Sequence, residues 1–239
     1  MNWQPQPGPQ EKAIRANFVD EIFYGGGRGG GKSWTLCYMF LMGVEKYGEH
    51  WKGVLFRRTY PELDEIIDQT RKMYRDFYPD AEYKVGTHQW QFSNGATLKL
   101  RHIENEADAD HYQGMAFTFV AFDELGSWSD LKAYHKIKAC LRSGSADVPD
   151  KKIVSSGNPG GPNHQNIKKY FIDPAPEGTV IEGEDGMNRM YIRSLVTDNK
   201  ILLDRDPHYI NRLKTATDAF RPCILHPGKN HDTFCAFGL

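Results

Sequence analysis

Residues 26–33 read Gly26-Gly27-Arg28-Gly29-Gly30-Gly31-Lys32-Ser33 and satisfy the pattern G-x-x-x-x-G-K-[ST] at every fixed position. Such a loop works only between a strand and a helix, because its backbone N–H groups must turn inward at a helix N-terminus. The flanks meet that demand: Ile22, Phe23 and Tyr24 make a short apolar strand, and Trp34 to Tyr47 reads as a helix. In this setting Gly26, Gly27, Gly29, Gly30 and Gly31 let the backbone cradle phosphate oxygens. Lys32 would reach the β- and γ-phosphates of a nucleotide, and the Ser33 hydroxyl would hold Mg²⁺.

A second signal follows at Phe119-Val120-Ala121-Phe122-Asp123-Glu124. Four apolar residues ending in acids read as a buried strand of a parallel sheet with carboxylates at its C-terminal edge. Asp123 would serve the Mg²⁺ side, directly or through a bound water, and Glu124 would polarise the water that attacks the γ-phosphate. Taken alone, the same run is a strand end and a solvated acidic turn. Beside a complete phosphate loop it points to an enzyme that turns over ATP.

The 239 residues can bury a full core, and one α/β domain with a small appendage is the natural count. A net charge of −1 gives no global attraction to nucleic acid, so any DNA contact needs a local basic face. No stretch approaches the length of a membrane span, and residues 1–10 do not read as a signal peptide. Cys37, Cys140, Cys223 and Cys235 are widely spaced and are expected as free thiols in a reducing cytoplasm.

The coarse element reading has an extended Pro-rich start over 2–9, a short helix from Glu11 to Asn17, and a strand within Gly53 to Arg57. Pro61 to Tyr78 predicts a helix with Leu63, Ile66, Ile67, Met73 and Phe77 on one face. Trp90 to Ser93, then Asn94-Gly95, then Ala96 to Ile103 predicts a hairpin. Asp130 to Leu141 reads as an amphipathic helix and Lys152 to Ser156 as a strand lying beside the acidic one. Past Tyr170 only a brief strand (Met190 to Ile192) and a helix near Tyr209 to Thr217 stand out.

Two further residues extend the chemistry. Asn158, just after the strand ending Ser155-Ser156-Gly157, would contact the γ-phosphate or the attacking water; an ordinary Asn-Pro turn reads the same way. Gln10 has one donor and one acceptor with which to read an adenine edge, and a solvated glutamine in a polar leader is the alternative.

Pro9-Gln10 before the first helix, the Arg28-bearing loop, the apolar strand ending Asp123-Glu124, and Ser156-Gly157-Asn158-Pro159-Gly160-Gly161 together resemble the ATPase domain of phage large terminases, the DNA-packaging motors. Phe56-Arg57-Arg58-Thr59, Tyr112-Gln113-Gly114 and Thr197-Asp198-Asn199 match as well, and the resemblance runs from about residue 5 to 221. It implies an α/β P-loop NTPase of the additional-strand, catalytic-glutamate type: a mostly parallel sheet flanked by helices, with a small C-terminal lid-like subdomain. On this reading 1–170 is the ATPase core, 171–221 a lid or linker, and 222–239 an atypical tail. The resemblance makes Arg28 a cis arginine on the γ-phosphate, Gln10 the adenine reader, and Asn158 part of the motif coupling hydrolysis to movement. The implied ligands are ATP and Mg²⁺. The implied partners are sequence-independent double-stranded DNA, the portal protein, the small terminase subunit and further copies in a ring, with no membrane. The implied location is the host bacterial cytoplasm and, transiently, the procapsid portal.

Three departures qualify the resemblance. Gln113 stands where many large terminases carry an arginine, in some of them the finger supplied to the neighbouring subunit, which leaves Arg101 or Arg142, or plain surface salt bridges at both. Residues 222–239 are too few for a nuclease domain, so no nuclease activity is expected from this chain. The tail looks altered, and Cys223, His226, His231 and Cys235 have an unusual spacing for zinc. Lys132, Lys136, Lys138, Lys151, Lys152, Lys168 and Lys169 are basic positions for DNA phosphates, or else solvated faces. The competing functions are a helicase or recombination ATPase, and an ATP-binding interaction module that is inactive without partners.

Overall fold

The computed structural model describes residues 4–145, 148–158 and 160–215. Its helices are α1 (Pro9–Arg15), α2 (Lys32–Tyr47), α3 (Leu63–Phe77), α4 (Glu106–Asp110), α5 (Lys132–Lys138), α6 (His164–Ile167), α7 (Lys200–Arg205) and α8 (Tyr209–Thr215). Its strands are β1 (Glu21–Gly26), β2 (Lys52–Arg57), β3 (Glu82–Lys84), β4 (Gln89–Gln91), β5 (Thr97–His102), β6 (Phe119–Phe122), β7 (Lys152–Gly157), β8 (Ile181–Glu182) and β9 (Asn188–Ser194).

All nine strands form one sheet in the order β3-β4-β5-β2-β6-β7-β1-β9-β8. The central strands β5, β2, β6, β7, β1 and β9 run parallel, and antiparallel pairing closes both edges. Strand β7 lies between the phosphate-loop strand β1 and the acidic strand β6, which is the additional strand expected for this fold class. Parallel strands with both faces covered read as continuous apolar runs, and β6 is buried at all four positions.

Side-chain alternation sorts the core into two layers. Ile22, Tyr24, Leu55, Ala121 and Val154 pack with residues of α1, α2 and α3 on one face. Phe23, Val54, Phe56, Val120, Phe122 and Ile153 pack with α4, α5 and α6 on the other. Helix α3 buries Leu63, Ile66, Ile67, Thr70, Met73 and Tyr74, the stripe that a 3.6-residue period demands. Helix α2 is buried nearly all round, because it carries the phosphate loop into the middle of one layer.

Several boundaries differ from the sequence reading for identifiable reasons. Helix α1 starts at Pro9 rather than Glu11, since proline suits the first helical turn and Lys12 N–H already donates to Gly8 O. Helix α3 starts at Leu63, with Pro61 in the turn ahead of it. Helix α5 stops at Lys138 rather than Leu141, because Leu141 is drawn into a parallel bridge with Phe117. The Asn94-Gly95 turn forms as expected, with Gly95 at φ 90°. The C-terminal part joins the same sheet. Strand β9 pairs with β1 from Arg189 to Ser194, so residues on both sides of the expected 170/171 boundary share a single sheet. Polar Asn188, Arg189 and Arg193 interrupt the apolar signal there. Cys37 and Cys140 are buried free thiols, while Cys223, His226, His231 and Cys235 lie outside the described residues. Among the described residues no helix is long and apolar enough to cross a membrane.

Candidate functional site

Strand β1 delivers the chain to the C-terminal edge of the sheet, where the phosphate loop turns into α2. The turn depends on glycine at two positions. Gly31 caps α2 at φ 72°, and Gly26, at φ 138°, approaches Ser194 so closely that a Cβ would lie 1.8 Å from its carbonyl oxygen. Lys32 is buried and its Nζ donates to Gly27 O at 2.5 Å and Gly26 O at 3.4 Å. Burial pushes its pKa down to about 8, against the opposing pull of Glu124 and Asp123.

The acids arrive from β6. Asp123, wholly buried, accepts from the hydroxyl of Ser33 at 3.0 Å and of Ser156 at 2.5 Å, both on Oδ1. Its Oδ2 lies 2.7 Å from Arg57 Nη2. That approach makes an ion pair without hydrogen-bond geometry, so Asp123 Oδ2 and Arg57 Nε have no hydrogen-bond partner among the described residues. Glu124 sits in the left-handed region at φ 61°, ψ 46°, a conformation that costs a non-glycine residue on the order of 1–2 kcal/mol. Such strain gathers where a side chain must be aimed, and here it turns the carboxylate into the cleft while Glu124 N–H donates to Ser156 Oγ at 3.1 Å. Burial raises the Glu124 pKa, and the neighbouring Asp123 charge adds to the effect. Asn158, just beyond β7, donates through Nδ2 to both Glu124 oxygens, at 2.9 and 2.7 Å.

A cleft of about 660 Å³ brings these groups together. Arg28, Gly29, Gly30, Gly31, Lys32, Ser33, Glu124 and Asn158 line it, with Asp123 beneath Ser33 and Gly26 and Gly27 under Lys32. Gln10 falls outside this lining. It is neither solvated nor ahead of the first helix: it lies in the first turn of α1, accepts from Gln6 N–H at 2.8 Å and donates to Thr35 Oγ1 at 3.0 Å. A hydroxyl facing a buried carboxylate is a hard oxygen pair that fits a small divalent cation. Among the described residues no cluster of three His, Cys, Asp or Glu offers a second metal site.

The family described as terminase large subunit, T4likevirus-type, N-terminal, matches residues 23–150, more than half of the 239. The chain belongs to that family. No curated protein matches it. The large terminase of a thermophilic bacteriophage is similar in structure, with TM-score 0.70, 17% identity, and 92% of this chain covered against 53% of that one. The same protein in complex with ADP gives 0.67, 18%, 91% and 52%. The ATPase domain of the Thermus phage P74-26 large terminase gives 0.57, 14%, 92% and 92%. This terminase chain therefore spans about half the length of the first of these relatives.

Beyond the expected residues, the terminase fold adds several that had no assigned role. Arg57 pairs with Asp123 because β2 and β6 are neighbours in register, Phe56 against Phe122, which leaves the next residue of each at the same edge. Behind the loop, Asn199 Nδ2 donates to Gly29 O at 2.6 Å, Ser194 Oγ to Gly30 O at 3.1 Å, and Leu202 and Tyr209 line the cleft. Of these, the sequence marks only Arg57 and Asn199, within the family matches Phe56-Arg57-Arg58-Thr59 and Thr197-Asp198-Asn199.

The basic positions fare unevenly. Lys152 is buried and donates to Asn17, and Lys138 is held by Glu21 and Asp185, so neither presents a free cation to a DNA backbone. Lys132, Lys136 and Lys168 pair with carboxylates, while Lys169 is exposed. Arg101 Nη1 donates to the carbonyls of Thr87, His88 and Leu100, which ties it to its own strand edge. Arg142 donates to Gly114 O, and Gln113 to Asp110.

Proposed function

We propose that this chain is the ATP-hydrolysing motor domain of a phage large terminase, driving double-stranded DNA into a procapsid. The observation that carries the reading is the convergence of Lys32, Ser33, Asp123 and Glu124 on one cleft, within a fold shared with nucleotide-bound terminase structures. Lys32 and the N–H groups of the loop bind the triphosphate, and Arg28 at the rim adds charge to its γ end. Ser33 and Asp123 hold Mg²⁺, which supplies neutralisation of charge on the phosphate oxygens. Glu124, with its pKa raised by burial, accepts a proton from the attacking water. Asn158 orients that carboxylate by bonding both its oxygens.

Work follows from what the loop touches. Asn199, Ser194 and the segment carrying Leu202 and Tyr209 rest on the phosphate loop and act as its lid, so loss of the γ-phosphate is felt beyond the sheet. DNA is held by phosphate contacts, since a packaging motor must pass any sequence. Copies of the chain assemble as a ring at the portal, with the small subunit, in the host cytoplasm. An arginine from one copy completes the site of the next.

Steady-state ATP hydrolysis with Mg²⁺, with and without double-stranded DNA and across protein concentration, tests the reading. Turnover that rises with DNA and concentration and vanishes in Glu124→Gln is the expected outcome. Absence of both nucleotide binding and turnover overturns it.

A further inference from the structure

We infer that Arg57 closes Asp123 to free divalent cations, so that the metal enters this site only together with the nucleotide. The inference rests on the nucleotide-site reading above. Both oxygens of the Asp123 carboxylate are covered: Oδ1 by the hydroxyls of Ser33 and Ser156, and Oδ2 by the Arg57 guanidinium at 2.7 Å. The Asp123 side chain is 0% exposed and that of Arg57 8% exposed. A hard divalent cation is drawn to carboxylate oxygens, bound directly or through a water. Arriving alone, it meets a permanent positive charge already seated on one of them, in surroundings too buried for water to screen the repulsion.

The guanidinium has somewhere else to go. Arg57 lines the same cleft as Lys32 and Arg28, its Nε is buried without a hydrogen-bond partner, and Glu65 Oε2 lies 3.5 Å away on the solvent side. A planar fork with unused donors suits phosphate oxygens. A nucleotide therefore brings Arg57 a new partner at the moment it brings the cation the rest of its ligands. The arrangement also gives Asp123 a counter-charge while the site holds no metal, which a bare buried carboxylate would lack.

Mn²⁺ binding by the nucleotide-free full chain, followed by the loss of the free-ion paramagnetic resonance signal, tests this. Wild type is expected to show no Asp123-dependent Mn²⁺ site, and Arg57→Gln to bind Mn²⁺ at least about tenfold more tightly, a gain that Asp123→Asn removes from the double variant. A loss of structure alone would weaken binding, so a gain is not a by-product of damage. Equal or weaker Mn²⁺ binding by a folded Arg57→Gln overturns the inference. If that variant does not fold, wild type decides: a nucleotide-free Mn²⁺ site in wild type that Asp123→Asn abolishes overturns it, and its absence upholds it. Binding of a fluorescent ATP analogue to wild type in Mg²⁺ separates the two readings. If the analogue fails to bind, the nucleotide-site reading is lost; if it binds while either overturning result is seen, only the role of Arg57 is lost.

Discussion

One amide nitrogen of Asn158 donates to both oxygens of Glu124, at 2.9 and 2.7 Å. The carboxylate is thus held from the β7 side, while its backbone is forced into a left-handed conformation at the end of β6. A base aimed by a single donor should lose its aim when the donor goes. Asn158→Ala is expected to lower turnover by about 10–100-fold while ATP affinity changes less than about threefold, since general-base contributions are of that order or larger. Comparing kcat with the dissociation constant of a non-hydrolysable analogue checks it, and an equal loss in both would place Asn158 on the nucleotide.

Lys32 and Glu124 face the same cleft with different tasks, and their variants should part accordingly. Lys32→Ala removes the cation at the phosphates and is expected to abolish nucleotide binding. Glu124→Gln keeps shape and one hydrogen-bonding oxygen, so it should bind ATP at near wild-type strength and hydrolyse it at least about 100-fold more slowly. Calorimetric titration beside a phosphate-release assay distinguishes the two. Equal loss of binding in both variants would deny Glu124 the role of base.

Gly43 sits in the middle of α2 against the Trp51 ring. A Cβ there would lie 2.2 Å from Trp51 Cε2 and 2.5 Å from two further ring atoms. The indole cannot yield freely, because it is 1% exposed and its Nε1 donates to Phe40 O at 2.8 Å. Gly43→Ala is expected to destabilise the fold by about 1–3 kcal/mol, overpacking outweighing the gain in helix propensity. Gly86→Ala meets open space and serves as the neutral control in the same urea titration.

The contrast between Gly43 and Gly31 also marks how much could be read in advance. Gly31 belongs to a spaced motif whose chemistry dictates strand, loop and helix, so β1, α2, β6 and their carboxylates are legible from residue type alone. The place of β7 beside the acidic strand follows from the same logic. What stayed hidden depends on long-range pairing. Strand β9 shows along the chain only as Met190 to Ile192, and its polar flanks Arg189, Arg193 and Ser194 join the sheet because β1 offers them an edge. Arg57 meets Asp123 through sheet register, and Asn199 meets Gly29 across 170 residues. Gln10 shows the same limit in reverse: its amide is engaged by Gln6 and Thr35, partners that no local pattern announces. The basic residues were the least legible, since charge on paper does not separate the exposed Lys169 from the buried Lys152.

Lys152 gives the sharpest dependence on pH. It opens β7, is 2% exposed, and donates to Asn17 Oδ1 at 2.7 Å and to the Asn17 carbonyl. Burial lowers its pKa to about 8, from 10.5 in the unfolded chain. Below pH 8 the amine is charged in both states, and the desolvation cost falls in full on the folded one. Between pH 8 and 10.5 the folded state releases the proton while the unfolded state keeps it. The unfolded state then binds more protons, and stability rises with pH. From pH 8 to 9.5 the wild type should gain about 1.5 kcal/mol relative to Lys152→Met, which has no proton to lose. Referring each wild-type value to the variant at the same pH cancels the tyrosines, whose ionisation affects both alike. Urea unfolding of the pair at half-unit steps measures the difference, and parallel curves across that window would mean that Lys152 keeps its charge in the core.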